Sequence, residues 1–219
     1  MPKLYSIRPT LTIKGRKFRG IRWWAGKPTH PPLTDFPIVC YVLVAAFDLV
    51  SYVAARGDHG RAAHDFFVAA TLVIVAGFLV SLLTALTGFW DWWKGMARVP
   101  NTGPIGRAQH TQAWRTANWH MTVMLTVTAI VLVDILIRWS QFNDRAASLV
   151  VTILSILAGA LVSLGAAYGG TLVYEYQFNV EDMKNSTVWD ETEVDQFPGD
   201  RKRRPPAEPP AGPPAEPPT

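Results

Sequence analysis

FFVAATLVIVAGFLVSLLTALTGFW, Phe66 to Trp90, contains no charged side chain. As a helix rising 1.5 Å per residue it would reach about 37 Å, more than the roughly 30 Å hydrocarbon core of a bilayer. A buried helix of a soluble bundle keeps a polar face for its solvated side. This segment has none, so it reads as a membrane span. Three further runs flank it: Ile38–Ala55, Trp119–Trp139 and Ala147–Val173. The chain is 49% hydrophobic and only 17% charged, against about a quarter charged in average globular domains. The expected fold is all-α, an integral-membrane antiparallel four-helix bundle.

Basic residues set the expected orientation. Residues 1–33 carry Lys3, Arg8, Lys14, Arg16, Lys17, Arg19, Arg22 and Lys27 and no acid, and the loop after the second run carries Lys94, Arg98, Arg107 and Arg115. The other two connections are short and mixed in charge. Cytoplasmic loops collect Lys and Arg, so both termini and the middle loop are expected on the cytoplasmic side of a bacterial inner membrane. The net charge of +4 then reflects topology rather than nucleic-acid binding. Trp23, Trp24, Trp90, Trp92, Trp93, Trp114, Trp119, Trp139, Tyr174 and Tyr176 fall at the ends of the runs, as an interfacial aromatic belt does. The apolar run nearest the N-terminus starts late and is too long for a signal peptide, so no cleavage is expected. The single cysteine, Cys40, excludes an internal disulfide, a CxxC pair and c-type haem attachment.

The expected organisation is a basic interfacial segment (1–33), a four-span domain (34–180) and a cytoplasmic tail (181–219). The tail turns acidic, then basic at "RKRR", then repeats proline pairs in "PPAEPPAGPPAEPPT". Such a sequence favours extended polyproline II and builds no core, so it is expected to be disordered.

Helical spacing gives each span one distinguishable face. In the first, Tyr41, Val44, Asp48 and Tyr52 align. In the second, Gly77, Ser81, Thr84, Gly88 and Asp91 do. In the third the line is His120, Met124, Val131 and Asp134, and in the fourth Ser155, Gly159, Ser163, Ala166 and Gly170. Small residues let helices approach closely in lipid. By depth, His30, Asp35, Asp91, His120 and Glu175 gather near one side, and the intramembrane acids Asp48 and Asp134 near the other. An acid within a span costs about 2.5–3.5 kcal/mol by insertion scales. Asp48 and Asp134 either share a proton or are satisfied separately by Tyr, Ser or Arg138. Ahead of the first span, "HPPLTDFP" reads as an entry device. The residue before proline is pushed out of helical angles, Thr34 is a candidate N-cap, Asp35 would lie in the first turn, and Pro37 would sit near the helix start. His30 has no role in that device.

Gly26-x-Pro28-x-His30-Pro31-x-Leu33-Thr34-Asp35-x-Pro37-Ile38 resembles the opening of a family of bacterial membrane proteins, domain of unknown function 2231. "TALTGFWDWW" (84–93), Arg115, His120 and "GAAYGGTLVYEYQFNV" (165–180) continue the resemblance, which spans roughly residues 20–183. It implies four spans and no assigned activity. Relatives joined to Rieske or cytochrome-like domains imply an association with membrane electron transfer. Lys27 stands where many relatives carry the first histidine of a GHPxHP pattern, and Thr171 where some carry another. A site that needs those side chains is not available to this chain.

Three functional readings stay open. The first is a non-enzymatic membrane subunit that belongs to, or helps assemble, a respiratory or redox complex. The second is a b-type haem protein with His30 and His120 as axial ligands and Asp35, Asp91 and Glu175 as a surrounding polar cluster. The third is a small proton or ion transporter using His120, Asp48 and Asp134. No catalytic residue is expected, no cofactor is assured beyond the haem b reading, and a metal site lacks a spacing signature. The expected partners are the lipid bilayer and other proteins of a redox complex, with no nucleic acid.

Overall fold

A computed structural model of the chain describes residue 21 and residues 28–95, 112–141 and 144–178, all in one helical unit. The basic segment before residue 28 apart from Ile21, the loop with Arg98 and Arg107, and the acidic and proline-rich tail lie outside the described residues. Four helices make up the unit: α1 (His30–Ala54), α2 (Gly60–Gly95), α3 (Gln112–Ser140) and α4 (Leu149–Tyr174). Around the bundle α1 packs on α2 and α4, and α3 packs on the same two. The pairs α1/α3 and α2/α4 face each other across the diagonals. The start of α1 lies beside the end of α2, and the start of α3 beside the end of α4, so neighbours in sequence are antiparallel.

All four helices are long and apolar enough to cross a membrane. Their outer surfaces carry large apolar side chains that a water-soluble bundle would hide, including Leu72, Leu79 and Leu86 of α2, Leu136 of α3 and Ile153 of α4. The interior is built mostly from small apolar groups, Val44, Ala70, Val127, Val131, Ala158 and Val162, with Ile74 and the larger Tyr41 among them. Large residues face outward because lipid is the solvent there. Close packing of small ones, rather than expulsion of water, holds the helices together. Gly77 shows how close: a Cβ there would come within 2.7 Å of Cys40 Cβ on α1. The chain is a membrane-embedded four-helix bundle.

The stripe on α2 faces inward, with Gly77, Ser81, Thr84 and Asp91 buried. On α1, Ser51 rather than Tyr52 completes the buried face of Pro37, Tyr41, Val44 and Asp48. On α3 that face also includes Ala117 and Arg138. The stripe expected on α4 is corrected past its midpoint. Ser163 is exposed, and the buried line runs Ser155, Ala158, Gly159, Val162, Gly165 and Leu172.

The entry to α1 also differs from expectation. The helix begins at His30, four residues before the expected boundary, with Thr29 at the N-cap and prolines in the first turn. The first N–H groups of a helix have no intrahelical acceptor, so the two prolines give up nothing there. That outweighs the bias of a pre-proline residue away from helical angles. Thr34 lies inside the helix, where its hydroxyl donates to the Pro31 carbonyl at 2.6 Å. Pro37 is internal and buried. Its missing N–H would have bonded the Leu33 carbonyl. Thr84 Oγ1 of α2 lies 3.2 Å from that carbonyl and 2.9 Å from the Val80 carbonyl of its own helix, so its one hydrogen is shared between the two and the defect in α1 becomes a link to α2.

At the opposite end, Ser51 ties three segments together. Its hydroxyl donates to the Ala63 carbonyl at 2.6 Å and accepts from the Ala147 amide at 3.0 Å. This fixes the end of α1 to the start of α2 and to the α3–α4 connection.

Candidate cofactor site: paired imidazoles at one end of the bundle

His30 is the first residue of α1, and helical geometry turns its side chain toward α2. Its Nδ1–H donates to the Thr84 carbonyl at 3.0 Å, and the Thr87 hydroxyl lies 3.4 Å from the same nitrogen. The ring lies against the backbone of Gly88, where a Cβ would come within 2.5 Å of His30 Cε1. Glycine is required there because the imidazole occupies the space of a side chain.

His120, in the third turn of α3, is held the same way by α4. Its Nδ1–H donates to the Gly165 carbonyl at 2.8 Å. Gly169 flanks the ring, with a hypothetical Cβ at 3.2 Å from His120 Cε1. Each histidine is thus anchored to the next helix around the bundle by the same atom and the same type of acceptor.

The two rings meet across the α1/α3 diagonal with centroids 6.4 Å apart and planes at 82°. A carbonyl oxygen can only accept, so both Nδ1 atoms carry the hydrogen. In a neutral ring Nε2 then holds the lone pair, and no hydrogen bond among the described residues engages either Nε2. Metal-bound imidazoles are oriented in this manner, with the other nitrogen donating to a backbone carbonyl. At the metal–nitrogen distance of about 2.0–2.1 Å known for imidazole on zinc, two rings on opposite sides of one ion have centroids roughly 6 Å apart.

The remaining polar residues expected on this side do not join the pair. Asp35 is exposed on the outer face of α1, and Glu175 is exposed at the C-cap of α4. Asp91 is buried, and its Oδ1 accepts from the Ile21 amide at 3.3 Å. The Ile21 carbonyl in turn accepts from the Thr29 amide at 3.0 Å, so Asp91 pins the approach to α1. Among the described residues no group of three or more His, Cys, Asp or Glu side chains could hold a metal ion.

Asp48 and Asp134 lie at the other end, along the same diagonal. Arg138 stands between them: its Nη2 donates to Asp48 Oδ2, its Nε donates to Asp134 Oδ1 at 2.9 Å, and its Nη1 donates to Thr71 Oγ1 at 3.3 Å. All three ionisable residues are at most 1% exposed. The acids share a guanidinium rather than facing each other. Arg138 was legible as a partner from its spacing four residues after Asp134; its reach to Asp48 was not. The two polar ends are about 27 Å apart along α1, from eighteen residues at 1.5 Å each, with the apolar layer of Val44, Ile74, Val131 and Val162 between them. The residues that sequence reasoning passed over are the seats of the imidazoles: the Thr84 and Gly165 carbonyls, and Gly169.

Comparison with curated proteins and with solved structures found no match. A family profile described as "Predicted membrane protein (DUF2231)" matches residues 26–182, from just before the His30 motif to just beyond α4. That stretch covers most of the chain and all four helices, and the chain belongs to this family of membrane proteins, DUF2231.

Proposed function

We propose that this chain is a membrane electron-transfer subunit that holds one b-type haem between His30 and His120. The observation that carries the reading is the matched anchoring of two imidazoles from diagonally opposed helices. Both Nδ1 atoms are committed to backbone carbonyls, and the rings are spaced as two ligands of one metal would be. The donor set favours haem over a bare ion. A zinc site needs three or four protein ligands, and these residues offer two. A porphyrin supplies four nitrogens of its own and asks the protein only for axial ligands. When bound, the haem would supply a one-electron couple. The chain's own part is to fix the imidazole tautomers through Thr84 and Gly165 and to leave room for the rings at Gly88 and Gly169.

We read the subunit as non-enzymatic and as working within a redox complex of the bacterial inner membrane. The basic residues of segment 1–33 and of the loop after α2 support a cytoplasmic position for the imidazole end. The apolar layer between the two polar ends favours this reading over a path for ions through the bundle. The test is expression in haem-replete cells, mild detergent extraction, and assay of iron and extractable haem. One haem per chain is expected, with loss of most of it in His30→Ala and in His120→Ala. Wild-type protein carrying neither iron nor haem would overturn the proposal.

A further inference from the structure

The charges at the far end do not balance. Two carboxylates and one guanidinium leave one excess negative charge in a cluster that is at most 1% exposed. Among the described residues no other charged side chain is shown bonded to it. From α2 it meets Thr71 and the Phe67 ring, whose centroid lies 5.6 Å from the Arg138 guanidinium. His64 and Asp65 of the same helix are exposed. Ser155 and Thr152 of α4 and Ser51 of α1 are buried and uncharged. An unbalanced charge this deep in hydrocarbon is neutralised by an added cation or proton.

The hydrogen bonds locate it. Asp134 uses both oxygens on Arg138, at 2.9 Å to Nε and 3.4 Å to Nη2. Asp48 uses only Oδ2; its Oδ1 is buried and has no hydrogen-bond partner. A buried carboxylate oxygen without a hydrogen-bond donor is the place where an added proton removes the excess charge. We infer that Asp48 is a proton-binding site, carrying one proton on Oδ1, while Asp134 stays ionised against Arg138. The site is independent of whether the imidazole pair holds a haem.

The proton should be visible by infrared spectroscopy of the full-length protein in detergent micelles at neutral pH. A carboxylic-acid C=O band that shifts in D2O is expected in wild-type protein in potassium buffer. It should survive in Asp91→Asn, which removes the buried carboxyl at the imidazole end. It should vanish in Asp48→Asn. Asp48→Asn keeps the cluster neutral, so its helix content should equal that of wild type. A wild-type spectrum with no such band overturns the proposal without recourse to any variant. If the band is absent and sodium raises thermal stability in wild type but not in Asp48→Asn, the occupant is sodium and the proton assignment is wrong.

Discussion

Arg138 of α3 reaches across the bundle diagonal to bind Asp48 of α1 while holding Asp134 one turn behind it on its own helix. The guanidinium thereby joins two helices whose backbones do not otherwise meet. Breaking a buried ion pair by removing one partner typically costs about 3–5 kcal/mol, because the other charge is left behind. Arg138→Met should therefore lower the stability of the detergent-solubilised protein by about that amount, read as a large drop in unfolding temperature. Adding Asp48→Asn and Asp134→Asn to Arg138→Met should recover most of the loss. No recovery in the triple variant would mean that the arginine acts by packing rather than by charge.

A second expectation concerns the proline inside α1. Thr84 Oγ1 serves the Leu33 carbonyl that Pro37 leaves without its helical donor. Thr84→Val should cost about 1–2 kcal/mol in the wild-type background, as for a buried acceptor left unpaired. In Pro37→Ala the helix supplies its own N–H, so the same valine substitution should cost less. The measurement is a double-mutant cycle by thermal or denaturant unfolding, and additive effects would show that the two groups are not coupled.

Ser51 gives a third. It accepts from Ala147 N and donates to Ala63 O while fully buried. Ser51→Ala leaves the buried Ala147 amide without its acceptor and removes the second donor to the Ala63 carbonyl, and should destabilise by about 2 kcal/mol. Hydrogen exchange should speed up first at the α1–α2 and α3–α4 connections, leaving the imidazole end protected.

Much of the bundle was legible because lipid imposes a strong pattern: four long, nearly uncharged runs and a small-residue face on α2 need no knowledge of packing. Other features depend on which helices are neighbours, which periodicity does not encode. The start of α1 was misplaced because a general bias of pre-proline residues gave way to the tolerance of a first turn for proline. The α4 stripe drifted because the spacing of its small residues was followed to Ser163, whereas the buried face follows contacts with α1 and α3. His30 and His120 could be placed at one depth from sequence. That their rings meet across a diagonal follows from the order of helices around the bundle.

The glycine beside His30 separates fold from site. A Cβ on Gly88 would collide with the His30 ring at 2.5 Å, whereas one on Gly60 would meet nothing within 4 Å. Gly88→Val should displace the imidazole and abolish cofactor retention while preserving helix content. Gly60→Ala should leave both unchanged. Circular dichroism alongside the haem-to-protein ratio checks the pair.

The central claim is that two histidines from opposed helices share one iron. The most direct measurement is the visible and electron paramagnetic resonance spectrum of the full-length protein purified in mild detergent, beside His120→Ala. The account predicts a Soret band, sharp reduced-state bands and a low-spin ferric signal with two imidazole ligands, all lost or converted to high spin in the variant. Well-folded wild-type protein that is colourless, or a haem spectrum unchanged by His120→Ala, would contradict it.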